Sequence, residues 1–247
     1  MPIDPARCVI GVFGSNSPSD PELYAVKLLG KQIRIAGAVL LTGGDLPVGE
    51  PVTVKDAAIW GTTCEALPEE PPASWIGVAN KSQAAEPQWR GESSVVVTPG
   101  WRHRRNFVEA CLCDAAIAVG ITSKGTASEA LFSLYLNRPL LVVGDIPKDE
   151  RNIWRLYPRA SQRVHPPNHP DMAIERGILD AYAWAQDREA LLDVRPLPND
   201  AASAGALVNE LLARATHNAS RRNFDRLVDE RGWDHFVASS LRAAGRP

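Results

Sequence analysis

Six short apolar runs, "CVIGVFG", "AVLLTGG", "SWIGVAN", "SSVVVTPG", "AAIAVG" and "PLLVVG", constrain this chain more than any other feature. Each is continuous and does not alternate with polar residues. A strand with one wet face reads apolar–polar–apolar; an uninterrupted run implies burial on both faces. Helix-length segments lie between most of the runs. One begins at Asp20-Pro21, with Asp20 read as N-cap and Pro21 at the first helical position, and turns Leu23, Val26, Lys27, Gly30 and Ile33 to one side. Others cover about 53–66, 102–113 and 126–136. Strands that alternate with helices require right-handed crossovers, so the expected fold class is α/β, a doubly wound and mostly parallel sheet.

Past Gly144 the character changes. "IPKDERNIWRLYPRASQRVHPPNHPD" reads as a long surface loop, and helical patterns follow at about 171–190, 201–216 and 219–243, with "DVRPLPND" as their linker-like break. The expected organisation is an α/β core over 1–150 and a C-terminal helical extension over 151–247, packed on the core or on a partner subunit. A formal net charge of −2 argues against nucleic acid held by bulk electrostatics but leaves room for a small anion. No apolar run approaches the ~20 residues of a membrane span, and the N-terminus does not read as a signal peptide, so a cytoplasmic protein with no membrane partner is expected. Cys8, Cys64, Cys111 and Cys113 form no zinc or redox spacing and read as reduced thiols, with Cys111 and Cys113 packed in the core. His165, His169 and Asp171 read as a surface turn, not a metal site. Trp60, Trp75, Trp89 and Trp101 read as core or interface residues, with base stacking as an alternative for Trp101.

Five strands finish at glycine: Gly14, Gly43-Gly44, Gly100, Gly120 and Gly144. Open parallel sheets bind ligands beyond the carboxyl ends of their strands, where strand order reverses. Gly14-Ser15-Asn16, Thr42-Gly43-Gly44-Asp45, Pro99-Gly100 and the loop from Gly120 to Thr126 are therefore expected to converge.

Two stretches carry charge toward that rim. Arg102, His103, Arg104 and Arg105 fall at a helix start, where cations cost roughly 0.3–1 kcal/mol each against the helix dipole. Either an anionic ligand answers them, or they are a solvated face or ion pairs with Glu109 and other carboxylates. Thr126-Ala127-Ser128-Glu129 fits a capping box, which would give Glu129 a purely structural role. Spacing alone favours that cap.

The order "VIGVFGSNS…LLTGG…RRNFVEACLCDAAIAVG…KGTASEALFSLYLNRPLLVVG", over about 8–144, resembles the LOG (Lonely Guy) superfamily, long labelled lysine-decarboxylase-like, which includes molybdenum-cofactor-carrier-like proteins. The resemblance implies a Rossmann-like fold. It also implies nucleotide phosphoribohydrolase activity, which splits a nucleoside 5′-monophosphate into base and ribose 5-phosphate. The family signature is an Arg in a basic helix start followed by P-G-G-x-G-T-x-x-E. Its Arg falls on Arg105 or Arg104, and Gly125-Thr126-Ala127-Ser128-Glu129 supplies an intact G-T-x-x-E. Ile121, Thr122 and Ser123 stand in place of P-G-G, and Arg-Asn replaces the Arg-Lys of plant-type enzymes.

Under this resemblance Glu129 is the catalytic carboxylate and Arg105 assists it. Thr122, Ser123, Lys124, Gly125, Thr126 and Arg104 hold the phosphate. Gly14, Ser15, Asn16, Gly43, Gly44, Asp45 and Asn106 line the sugar and base. The implied ligand is a nucleoside monophosphate or another phosphorylated small molecule. No cofactor or metal is called for, and a homodimer is implied, with Ala130, Leu131, Leu134 and Tyr135 offered at its interface. The lost glycines support a second reading, a non-catalytic carrier or sensor of a phosphorylated cofactor or nucleotide. A dinucleotide dehydrogenase is disfavoured because "GSNSPSD" follows the first strand in place of G-x-G-x-x-G, and no G-x-S-x-G elbow supports a serine hydrolase.

Overall fold

In a computed structural model, residues 7–43, 52–64, 69–80, 92–98, 102–121, 123–144, 191–215 and 242 are described. Seven strands form one sheet: β1 (Val9–Gly14), β2 (Val39–Gly43), β3 (Ser74–Asn80), β4 (Glu92–Thr98), β5 (Ala115–Val119), β6 (Leu140–Val143) and β7 (Leu192–Arg195). Their order is β4-β3-β2-β1-β5-β6-β7, and every neighbouring pair is parallel. The six apolar runs are the first six strands. The seventh is Leu192 and the first three residues of the segment read as a linker. "LDVR" carries three polar or short apolar positions and lies at an edge, so the signal of double burial is missing there.

Helices α1 (Asp20–Ile35), α2 (Val54–Thr63), α3 (Arg102–Leu112), α4 (Lys124–Tyr135) and α5 (Ala201–Arg214) cover both faces. Alternate strand residues supply two cores. Val9, Phe13, Val39, Leu41, Ala116, Ala118, Leu140 and Val142 pack with α3 and α4. Ile10, Val12, Leu40, Ile117, Leu141 and Val143 pack with α1, α2 and α5. Period-two alternation between two buried faces is what an unbroken apolar run provides. Phe107 of α3 meets Phe132 of α4 edge-to-face, with centroids 5.1 Å apart. Trp75, Cys111 and Cys113 are core residues, and Trp60 is half-buried. Trp89 and Trp101 lie outside the described residues.

The α1–α2 contact depends on glycine. A Cβ at Gly30 would lie 2.3 Å from the Ala58 carbonyl oxygen, and one at Gly61 would lie 2.0 Å from that of Lys27. The two backbones therefore cross at a distance only glycine permits.

Two expectations are corrected. The N-cap of α1 is Ser19, not Asp20, because Glu22 reaches back one residue further. Its Oε2 accepts from the Ser19 N–H at 2.7 Å and from the Ser19 hydroxyl at 2.8 Å. Ala130, Leu131, Leu134 and Tyr135 are buried in the chain's own core, so that face of α4 is not available to a second copy. No described helix is long and apolar enough to cross a membrane.

Candidate functional site

Strand order reverses between β1 and β5, so the rim above Gly14 and Gly120 is the predicted ligand crevice. Among the described residues, the end of β1 meets the start of α2 there and lies beside the end of β5. The Val54 N–H donates to the Ser15 carbonyl at 3.2 Å, and the Val54 side chain fills the space where Gly14 would carry a Cβ. Ser15 is buried and its hydroxyl accepts from the Ser17 N–H at 3.0 Å, while Asn16 is exposed. Gly120 has φ 55, a conformation that favours glycine, and faces the Glu22 carboxylate. Gly43 lies beneath the amine end of Lys55. Gly44, Asp45, Pro99, Gly100 and Thr122 lie outside the described residues. The backbones of Arg104 and Lys124 belong to α3 and α4, and their side chains lie outside the described part.

The capping-box expectation is overturned. The N-cap of α4 is Ser123, whose extended backbone places Oγ to accept from the Thr126 N–H at 3.2 Å. The hydroxyls of Ser123 and Thr126 stand 3.0 Å apart. Thr126 is already inside the helix, so Glu129 lies in its second turn and is not engaged in capping. A glycine at the second helical position lowers local propensity and makes the helix read as starting late.

Asn106 ties α3 to this helix entry. Its Nδ2 donates to Ser128 Oγ at 2.6 Å and to the Gly125 carbonyl at 3.3 Å, and Ser128 Oγ donates to the same carbonyl at 2.7 Å. Gly125 is thereby fixed from behind. Among the described residues a Cβ there would meet only Ser123 Oγ, at 3.7 Å, an ordinary contact.

Arg105 and Glu129 come together: Nη2 stands 4.0 Å from Glu129 Oε1, and Nε stands 3.2 Å from Glu109 Oε1, one helical turn along α3. The three side chains are 13%, 4% and 0% exposed respectively. The ion pair with Glu109 weighed as an alternative for the basic cluster thus exists, and it shares its guanidinium with Glu129. Burial, followed by the negative charge of Glu129, pushes the Glu109 carboxyl well above the ordinary range, while Arg105 and Lys55 pull it down.

Lys55 was not singled out by sequence reasoning. It is buried in the first turn of α2, where a cation opposes the helix dipole. The Thr53–Asp56 capping box and Glu109 offset this. The signal available was its position in a helix start eleven residues beyond Gly44. Among the described residues no three His, Cys, Asp or Glu side chains gather as a metal site; His165, His169 and Asp171 lie outside them.

The model of the SLOG cluster4 family matches residues 7–174. The chain belongs to that family. The family match agrees with the LOG-superfamily resemblance read from the motifs. No curated protein matches this SLOG cluster4 chain. In fold it is similar to the molybdenum cofactor carrier protein of Chlamydomonas reinhardtii, with TM-score 0.53 and 23% identity over 84% of this chain and 99% of that one. A second structure of that protein gives TM-score 0.52 and 24% identity over the same shares. The molybdenum cofactor binding protein of the phototrophic bacterium Rippkaea orientalis gives 0.50 and 20%, over 83% and 98%. The SLOG cluster4 chain thus shares a Rossmann-like plan with these proteins over almost their full length.

Proposed function

We propose that this protein binds a phosphorylated small molecule of nucleotide or cofactor type at the β1–β5 rim, and that it hydrolyses the N-glycosidic bond of a nucleoside 5′-monophosphate there. The observation that carries the reading is a carboxylate released from capping, Glu129, standing 4.0 Å from Arg105 under that rim. The phosphate would lie against the entry of α4, where Gly125 carries no side chain and the helix dipole favours an anion. Lys124 and Arg104 are the proposed charged contributors from the adjoining helix starts, and Thr122 a further donor. Gly14, Ser15, Asn16, Gly43, Gly44 and Asp45 would border the sugar and base.

In hydrolysis, water adds to the anomeric carbon as the bond to the base nitrogen breaks. The base leaves with that electron pair and takes up a proton. Glu129 would stabilise the positive charge developing on the ribose and accept the proton from water, and Arg105 would orient Glu129 and the ligand. The expected outcome of Glu129→Gln is loss of ribose 5-phosphate release from a nucleoside monophosphate panel, by a factor of about 100 or more, with nucleotide binding retained. Normal turnover of that variant would remove Glu129 from the chemistry.

A second reading has its own support. Glu129 is almost wholly buried, and the family's two-glycine approach is replaced by Thr122-Ser123. A non-catalytic carrier of a phosphorylated cofactor fits both, as does the shared fold of the molybdenum cofactor carrier. Thermal stabilisation of the wild-type chain by a phosphorylated ligand that is never cleaved would decide for it.

A further inference from the structure

Among the described residues, Arg105 and Glu109 of α3 and Glu129 of α4 meet below the rim, and Lys55 of α2 acts electrostatically on Glu109. Glu109 is the most enclosed of them. As a carboxylate it receives no hydrogen bond of good geometry at either oxygen among the described residues, although neither oxygen touches solvent. Most buried carboxylates are satisfied by donors. An unsatisfied one beside a shared guanidinium calls for an explanation other than packing.

We propose that Glu109 is a positioning residue that governs anion binding at this site: it competes with an incoming phosphate for the Arg105 guanidinium, and releases it when Glu109 carries a proton. The inference rests on the proposed function for its ligand, and on these four side chains alone for its electrostatics.

Charge balance supplies the argument. Among the described side chains, with both carboxyls ionised, Lys55 and Arg105 just neutralise them. Drawing Arg105 toward a phosphate would then strand the Glu109 carboxylate in a dry environment, among the most costly states available to a side chain. A protonated Glu109 avoids this. Its O–H can donate to Glu129, which gives the pair the hydrogen bond that two carboxylates cannot make, and Arg105 then serves one carboxylate and one phosphate. Burial and the Glu129 charge both favour that protonated form. Lys55, laid over Gly43 from the opposite face of the sheet, keeps the cluster from accumulating negative charge.

The test has two arms. In the first, adenosine 5′-monophosphate binding is measured by calorimetry from about pH 6 to 9 for the wild-type chain and for Glu109→Gln. The phosphate's own second ionisation is common to both and cancels in the comparison. Above the Glu109 pKa the wild-type Kd should weaken by up to about tenfold per pH unit relative to the variant, since one proton is linked to binding. Superimposable profiles would overturn the proposal.

The second arm needs no ligand. Carboxyl carbon NMR of Glu109 should show its titration move to lower pH in Glu129→Gln and to higher pH in Lys55→Met. A titration unmoved by both substitutions would refute the shared cluster, and these variants keep the test open if Glu109→Gln does not fold. If the wild-type chain binds no nucleoside monophosphate, the proposed function fails, and the Glu109 proposal stands or falls on the carboxyl titration.

Discussion

Replacing Glu109 by Gln should make the protein's stability less dependent on pH, and the size of the effect follows from one proton. Glu109 is fully enclosed and its pKa lies well above the ordinary 4.5, chiefly through burial and secondarily through the charge of Glu129. The folded chain therefore keeps a proton at a pH where the unfolded chain has lost it. For a carboxyl shifted upward, the stabilising contribution is complete below the unfolded pKa. It declines as pH rises and is exhausted once the folded pKa is passed. Between those two values folding takes up one proton, so stability falls by about 1.4 kcal/mol per pH unit. Gln is nearly isosteric and does not titrate, so this slope vanishes in the variant.

The assay is urea unfolding at half-unit steps from about pH 4 to 9, with the transition midpoint and slope checked for two-state behaviour at each step. The measured quantity is the stability of Glu109→Gln minus that of the wild-type chain. It should rise by about 1.4 kcal/mol per pH unit from about pH 4.5 and level off at the folded pKa of Glu109. The plateau then reads that pKa directly. All other carboxyls are common to both proteins and drop out of the difference, apart from the coupling with Glu129. A difference that stays constant across the range would mean that Glu109 titrates in the folded chain as it does in the unfolded one. The burial argument and the competition for Arg105 would then both be wrong.

Two further outcomes test the architecture. Ser123→Ala should cost about 1 kcal/mol, or roughly 2–4 °C in Tm, while Thr126→Ala should cost less; the reverse order in thermal unfolding would restore Thr126 as the cap. Gly30→Ala should destabilise by about 1–3 kcal/mol in denaturant unfolding, because its methyl group would meet the Ala58 carbonyl and force α1 away from α2.

Six of the seven strands were legible because one physical rule covers them. A strand buried on both faces has no polar side, and six such runs were visible as text. β7 escaped because it is short, half-exposed and interrupted by Asp193 and Arg195, so "LDVR" looks like any exposed connector. Helix bounds were legible to within a few residues, but the caps were not. Ser19 and Ser123 were each chosen over a neighbour, Asp20 and Thr126, equally able to cap. Propensity ranks these residues almost alike, so the local register of the turn decided. The Arg105–Glu129 encounter was anticipated from family motifs, not from spacing.

The charges around that pair show why the rest of the site was illegible. Arg105 and Glu109 are four apart on α3, the spacing of an ordinary exposed helix pair, and nothing in that helix marks the pair as enclosed. Enclosure comes from elsewhere. Asn106 clamps the start of α4 against α3, which brings the second turn of α4, and so Glu129, over the same face. Lys55 reaches the cluster across the sheet rim because Gly43 has no side chain to stop it. Each of these contacts joins segments at least 12 residues apart, and each changes what a charge is worth by removing water from it. The chemistry of the site therefore depends on the strand order. β5 returns beside β1, which places α3 and α4 side by side at the reversal point and turns a surface-type ion pair into a buried, shared one. A circular permutation that preserved this strand order should leave the Glu109 titration in place. Loosening the entry of α4 from α3 by the single change Asn106→Ala should move that titration toward the ordinary carboxylate range.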